Sequence, residues 1–219
     1  MGKLFLDSAN LDVITRMMSY DCISGVTTNP SLMSKEEKGD YFKKIKDIAE
    51  IMSSRYLRYK RHLSAEVITL DPQEMIKQAL QLKLDLQPFA KNIDLYVKIP
   101  VTFDNLGVIS KLHGSGVNVN ATACMTAGQA KIASESGAKI VSFFYNRILD
   151  GGGSPINELS KFQNIREKTV LEGTIVQSGS AIICGSIRTD DDVVSCFQAG
   201  AEFVTAGEKV IREMCEHPQ

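Results

Sequence analysis

The most constraining feature of this chain is a strict alternation, repeated eight times from end to end. Short apolar runs rich in β-branched residues occupy residues 3–7, 25–28, 63–68, 95–99, 117–122, 140–144, 181–187 and 203–206. Between and after them lie stretches whose apolar residues recur at helical spacing, at 10–19, 41–54, 72–86, 106–112, 127–136, 156–171, 191–199 and 208–215. The first kind of run predicts strands and the second helices. Most of the strands are near-continuously apolar, as strands are when both faces are covered. Strands alternating with helices give a parallel sheet. Eight such units in 219 residues predict an α/β fold, a single (β/α)8 TIM barrel with a closed parallel sheet, running as one domain over residues 1–219.

Several function classes drop out at once. No Gly-x-Gly-x-x-Gly follows a strand, and there is no phosphate-binding Gly-x-x-x-x-Gly-Lys-Ser/Thr loop and no Gly-x-Ser-x-Gly nucleophile elbow. Lys and Arg number 25 against 26 Asp and Glu, a net charge of -1, which argues against nucleic acid as a partner. No apolar run approaches the roughly 18 residues that a membrane span needs. Residues 1–10 lack the basic-then-apolar pattern of a signal peptide, and Met1-Gly2-Lys3-Leu4-Phe5-Leu6 lacks the Ser or Thr of a myristoylation signal, so a cytoplasmic location is expected. The cysteines Cys22, Cys124, Cys184, Cys196 and Cys215 form no Cys-x-x-Cys pair and do not cluster with His62, His113 or His217. Reduced, buried thiols are expected, and no metal site. His113, just before Gly114-Ser115-Gly116, reads as a surface imidazole at a helix end. The run Gly151-Gly152-Gly153 reads as a mobile loop between strand six and a long helix. Arg55-Tyr56-Leu57-Arg58-Tyr59-Lys60-Arg61 interleaves basic and aromatic residues in the manner of single-strand nucleic-acid binders. With the net charge near zero it is expected to be a solvated helix end.

In a closed parallel barrel the reactive groups project from the C-terminal ends of the strands. Strand one ends in Asp7, and strand two runs into Thr27-Thr28-Asn29-Pro30. Strand three carries Glu66, strand four Lys98, and strand five Asn120 and Thr122. Strand six carries Ser142 and leads into Phe144 and Arg147, and strand seven leads into Ser186 and Arg188. Polar groups on apolar strands are costly to bury alone, so they are expected to converge on one pocket.

Lys98 is the most informative. It interrupts the apolar strand Tyr96-Val97-Lys98-Ile99-Pro100. An amine held there can attack a carbonyl to form a Schiff base; the competing reading is an edge lysine whose head reaches solvent. Asp7 and Glu66 favour the first, because imine chemistry needs groups that move protons. Arg147, Ser186 and Arg188 together suit a phosphate, although a surface role competes for the two arginines. The acids of Thr189-Asp190-Asp191-Asp192 suit a helix N-terminus.

Taken together, these residues carry a resemblance. Phe5-Leu6-Asp7-Ser8-Ala9-Asn10, Gly25-Val26-Thr27-Thr28-Asn29-Pro30-Ser31-Leu32, Ala65-Glu66-Val67, Val97-Lys98-Ile99-Pro100, Asn120-Ala121-Thr122, Ser142-Phe143-Phe144 with Arg147, and Gly185-Ser186-Ile187-Arg188 resemble transaldolases. The likeness is to the short bacterial and archaeal type, related to fructose-6-phosphate aldolase, and extends from residue 3 to about residue 217.

The resemblance implies a cofactor-independent class I enzyme that transfers a dihydroxyacetone unit from a ketose phosphate, such as fructose 6-phosphate or sedoheptulose 7-phosphate, to an aldose phosphate. Lys98 would form the Schiff base with the C2 carbonyl. Asp7 would take the C4 hydroxyl proton, and Glu66 and Thr122 would hold the water of imine formation. Asn29, Asn120 and Ser142 would bind the three-carbon unit with Thr27 close by, and Arg147, Ser186 and Arg188 would bind the phosphate. In this family transaldolases carry glutamate and phenylalanine where the aldolases carry glutamine and tyrosine; Glu66 and Phe144 therefore point to transfer rather than to the aldolase-like lyase. A non-catalytic phosphosugar-binding barrel is the remaining alternative. The family also implies a homo-oligomer, a pentamer or decamer, in which a last helix packs on a neighbouring subunit; the sequence in hand stops at His217-Pro218-Gln219. After Thr122 the family continues with large aliphatics and a phenylalanine, whereas Ala123-Cys124-Met125-Thr126 stands here and leaves the sugar open.

Overall fold

Eight parallel strands pair in chain order and the last closes on the first, giving a (β/α)8 TIM barrel. The structure is a computed structural model and describes residues 2–54, 59–171 and 179–216. Its first half runs β1 (Lys3–Asp7), α1 (Leu11–Met17), β2 (Ile23–Thr27), α2 (Pro30–Met33), α3 (Tyr41–Ser53), β3 (Arg61–Glu66), α4 (Pro72–Asp85), a 3₁₀ turn (Gln87–Phe89) and β4 (Ile93–Pro100). The second half runs α5 (Leu106–Gly114), β5 (Val119–Cys124), α6 (Ala127–Glu135), β6 (Ile140–Phe144), α7 (Tyr145–Asp150), α8 (Pro155–Leu171), β7 (Ala181–Gly185), α9 (Asp190–Gln198), β8 (Phe203–Ala206) and α10 (Glu208–Glu213).

The strand alternation divides the apolar residues into two cores. Outward-facing Leu6, Val26, Leu63, Val97, Val119, Val141, Ile182 and Val204 pack with the buried faces of the helices into one continuous cluster. Inside the barrel, Phe5, Ile140 and Ile183 form a separate cluster with Tyr96, Ala181 and Phe203 against it. This plug closes the N-terminal half of the barrel, so polar side chains further along the strands face the other mouth. Gly25 makes room for it: a Cβ there would stand 2.5 Å from the His62 carbonyl oxygen and 2.8 Å from His62 Cβ.

Most helices start on a side chain that satisfies free backbone N–H groups at the C-terminal face. Asn10 accepts from Val13 N, Asn29 from Leu32 N, and Asp71 from Glu74 N. Thr126 with Gln129 and Thr189 with Asp192 form full capping boxes, the second as the acidic run predicts.

Several expectations need correction. Strand two begins at Ile23 rather than 25, and strand three spans Arg61–Glu66, ending two residues before 68. Strand seven stops at Gly185 rather than 187, where Ser186 turns into a left-handed backbone (φ 58°). Two short helices, α2 and α7, were not expected; α2 starts on the Asn29 cap with Pro30 in its first turn, a signal carried by the sequence. The triglycine therefore lies between α7 and α8 rather than directly after strand six. It makes a hydrogen-bonded turn in which the N–H groups of Gly151, Gly152 and Gly153 donate to Arg147, Leu149 and Ile148 carbonyls. Of the basic stretch, residues 55–58 lie outside the described residues. Arg61 is no solvated helix end: it is fully buried on β3, with Nη2 donating to the Met18 carbonyl at 2.8 Å. All five cysteines are free, but Cys22 and Cys215 are exposed rather than buried. His113 is exposed, as expected. Among the described residues no helix is long and apolar enough to cross a membrane.

Candidate active site

The polar residues at the strand ends meet in one pocket of about 410 Å³ at the C-terminal mouth. Eleven of the twelve residues singled out in the sequence line it, the exception being Arg188. Register explains the convergence. Glu66 pairs with Lys98, Lys98 with Asn120, and Asp7 with Thr27 across neighbouring strands, so the members of each pair project to the same, inward side of the sheet.

At the centre Lys98, only 5% exposed, does not reach bulk solvent. Its Nζ lies 2.9 Å from Glu66 Oε2 and donates to the Thr28 carbonyl at 2.8 Å. The Glu66 backbone is itself held, its carbonyl accepting from the Tyr41 hydroxyl of α3. The edge-lysine reading is thereby removed. Asp7 occupies the next sector. The Thr27 hydroxyl donates to Asp7 Oδ1 at 2.7 Å and lies 2.6 Å from the Thr205 hydroxyl. Thr27 has one hydrogen and directs it to the carboxylate, so Thr205 donates to Thr27. Burial raises the pKa of Asp7, opposed by the positive charge of Lys98 and the Thr27 hydrogen bond.

Across the mouth, Ser142 Oγ donates to Asn120 Oδ1 at 2.6 Å, and Asn120 Nδ2 donates to Ser64 Oγ at 3.0 Å. Thr122 Oγ1 is buried with no hydrogen-bond partner among the described residues, a costly state for a hydroxyl unless something in the pocket bonds it. Asn29 uses its carbonyl oxygen as the α2 cap, which leaves its amide nitrogen to the pocket it lines. Among the described residues two that are not glycine have a left-handed conformation, Ser186 (φ 58°), which lines the pocket, and Ala123 (φ 62°), which follows Thr122, a strain of about 1–3 kcal/mol each that concentrates at functional sites.

Of the three residues expected to bind a phosphate, two meet in the pocket. Arg147 and Ser186 line the pocket. Arg188 instead makes a two-pronged bond to Asp150, with Nη1 to Oδ1 at 2.8 Å and Nη2 to Oδ2 at 2.5 Å. Asp150 also feels Arg147, and its carboxyl is held below the usual range chiefly by the Arg188 hydrogen bonds. Among the described residues no group of three or more His, Cys, Asp or Glu is placed to hold a metal ion.

Sequence reasoning missed Thr205, Ser64 and the α2 residues Pro30–Leu32. Thr205 carried the same signal as the others, a polar residue at the end of an apolar strand, and Ser64 sits between Leu63 and Ala65 in the same way.

A closed barrel whose C-terminal mouth gathers a lysine, two carboxylates and neutral hydrogen-bonding groups has the layout of a barrel enzyme. The family model described as Transaldolase/Fructose-6-phosphate aldolase matches residues 4–219. The chain is 36% identical over 217 residues to a protein of Clostridium kluyveri named "probable transaldolase", which covers 99% of this chain and 91% of the relative. Proteins of the same name from Clostridium acetobutylicum (34%) and Dehalococcoides mccartyi (33%) match over 216 residues with the same coverage. The chain belongs to the transaldolase/fructose-6-phosphate aldolase family and is an enzyme of that kind.

Proposed function

We propose that the protein transfers a dihydroxyacetone unit between sugar phosphates through a Schiff base on Lys98. The observation that carries this reading is the buried Lys98 amine resting on Glu66 at the floor of the pocket. Glu66 is positioned to take a proton from Lys98, leaving the lone pair that attacks the C2 carbonyl of a ketose phosphate. The proton returns to the carbinolamine hydroxyl, which departs as water and leaves a protonated imine; the unpartnered Thr122 hydroxyl supports a role in holding that water.

Asp7 then removes the C4 hydroxyl proton. The C3–C4 bond breaks, its electron pair moves into the imine to give an enamine, and an aldose phosphate leaves. Attack of the enamine carbon on an incoming aldehyde, with Asp7 returning its proton to the new hydroxyl, reverses the sequence on the acceptor. The raised pKa of Asp7 suits a group that must hold this proton between the two halves. Asn29, Asn120, Ser142 and Thr27 suit the hydroxyls of the three-carbon unit, and Arg147 with Ser186 the phosphate. Arg188 joins them by exchanging Asp150 for phosphate oxygens.

Borohydride reduction with fructose 6-phosphate, followed by peptide mass spectrometry, is expected to place a three-carbon adduct on Lys98; a Lys98 peptide of unchanged mass overturns the reading and leaves a phosphosugar-binding barrel. Donor turnover is expected to rise at least tenfold when erythrose 4-phosphate is supplied. Equal rates with and without acceptor make the protein an aldolase-type lyase.

A further inference from the structure

Beneath the pocket lies a buried histidine that the proposed chemistry does not use. His62 stands on β3 two residues before Ser64, on the same inward face. Its ring is stacked between Phe5 (centroids 4.5 Å apart, planes at 13°) and Tyr96 (4.5 Å, 20°). Its Nε2 lies 2.6 Å from Ser64 Oγ. The contact opens an uninterrupted chain that runs from His62 through Ser64 and Asn120 to Ser142, every member of it buried. The far end, Asn120 and Ser142, lines the substrate pocket. The near end borders a small cavity at the opposite mouth with Lys3, Lys60 and Asp94.

The donors and acceptors of this chain can be counted. Ser64 has one hydroxyl hydrogen and receives another from Asn120. It gives its own to His62 when the neutral ring carries its hydrogen on Nδ1 and leaves the Nε2 lone pair to accept; the opposite tautomer would donate to Ser64 instead. Burial and the positive charges of Lys3 and Lys98 keep the ring neutral. In the Nδ1–H tautomer the Ser64 hydrogen is committed to His62, and Ser64 faces Asn120 as an acceptor only. The amide must then present nitrogen to Ser64 and oxygen to Ser142. A flipped amide would set two acceptors, Asn120 Oδ1 and Ser64 Oγ, against each other and would turn Ser142 from donor into acceptor.

We propose that His62 is a positioning residue: acting through Ser64, it fixes the amide orientation of Asn120 and so the hydrogen-bond polarity that the Asn120–Ser142 pair offers to substrate. The proposal rests on the reading that this pair contacts the three-carbon unit.

The test uses the full chain with His62→Phe, which keeps a stacked ring without the acceptor, His62→Gln, which restores an acceptor, and Ser64→Ala. His62→Phe is expected to raise the donor KM about tenfold, the effect of one misplaced hydrogen bond, with kcat lowered no more than about threefold. His62→Gln is expected to return KM to within about threefold of the native value, and the double variant to be no worse than Ser64→Ala alone. A native KM in His62→Phe, or losses that add in the double variant, overturns the proposal. Should His62→Phe fail to fold, Ser64→Ala decides by the same KM criterion. The side-chain amide resonances of Asn120 in the substrate-free protein give a readout independent of the chemistry. They are expected to shift in His62→Phe and recover in His62→Gln, and unmoved resonances overturn the proposal even where Lys98 is labelled. Shifted resonances with an unlabelled Lys98 uphold the orientation and sink only the Schiff-base reading.

Discussion

The amine of Lys98 stands 2.9 Å from Glu66 Oε2, and the two residues are register partners on β4 and β3. Adjacent strands therefore deliver the proposed nucleophile and proton acceptor as a fixed pair, with no loop between them to order. Because the proposed nucleophile comes from a single side chain, Lys98→Ala is expected to lower turnover by about 10⁴-fold or more. Its circular dichroism spectrum should match the native one. Turnover within tenfold of native in the variant would mean that the reaction does not pass through this amine.

Asp7 separates function from stability. Burial raises its pKa in the folded state. The unfolded chain ionises this group first, near the ordinary aspartate value of 3.8, so its contribution to stability is full below that pH and is lost as pH rises through the higher folded value. Asp7→Asn keeps an oxygen to accept from Thr27 and never ionises. It is expected to melt at a higher temperature than the native protein at pH 7, with the gap closing as pH approaches 4, while turnover falls about 10²- to 10⁴-fold. Melting curves across that pH range, read beside initial rates, check both halves.

The (β/α)8 barrel was legible because eight apolar runs and eight helical patterns leave few topologies, and reading the ends of those runs located Asp7, Glu66, Lys98, Asn120, Thr122 and Ser142. Less legible was anything set by pairing across strands. Nothing local marks Arg61 as a buried strand residue; its place follows from pairing with Ile93 and from carbonyls of Met18 and Met52 that reach it in space. Thr205 was overlooked although its signal was present, since a lone threonine is an ordinary strand residue until its hydroxyl meets Thr27. Arg188 was grouped with Arg147 by position after a strand, and only the fold shows that Asp150, from a helix that the sequence reading did not anticipate, holds it.

The histidine in the plug sets an acid limit. Burial, with the charges of Lys3 and Lys98, pushes the His62 pKa from 6.5 to about 3. Its contribution to stability is full above 6.5 and is lost as pH falls toward 3, at up to about 1.4 kcal/mol per pH unit. The native protein should therefore lose stability more steeply than His62→Phe between pH 6 and 4. Parallel slopes in urea titrations over that range would show that the imidazole is not held neutral.

Ala123 follows Thr122 with a φ of 62°, a conformation that costs a non-glycine residue about 1–2 kcal/mol. Ala123→Gly relieves this at the cost of roughly 0.5–1 kcal/mol of chain entropy. A net gain of about 0.5–1 kcal/mol is expected in chemical denaturation. A loss would mean that the left-handed residue is held without strain.

Asp150 occupies the guanidinium of Arg188 through both carboxylate oxygens. If Arg188 serves the substrate phosphate, Asp150 competes with it for the same planar fork. Asp150→Asn removes the competing charge and frees the guanidinium to bend toward Arg147 and Ser186. The donor KM is expected to fall about two- to fivefold at low ionic strength, and the advantage to shrink as salt screens the site, since the groups are open to solvent. Arg188→Gln should raise KM in both backgrounds. If Asp150→Asn leaves KM unchanged while Arg188→Gln is also silent, the Arg188–Asp150 pair ties α7 to the strand-seven loop and takes no part in binding phosphate.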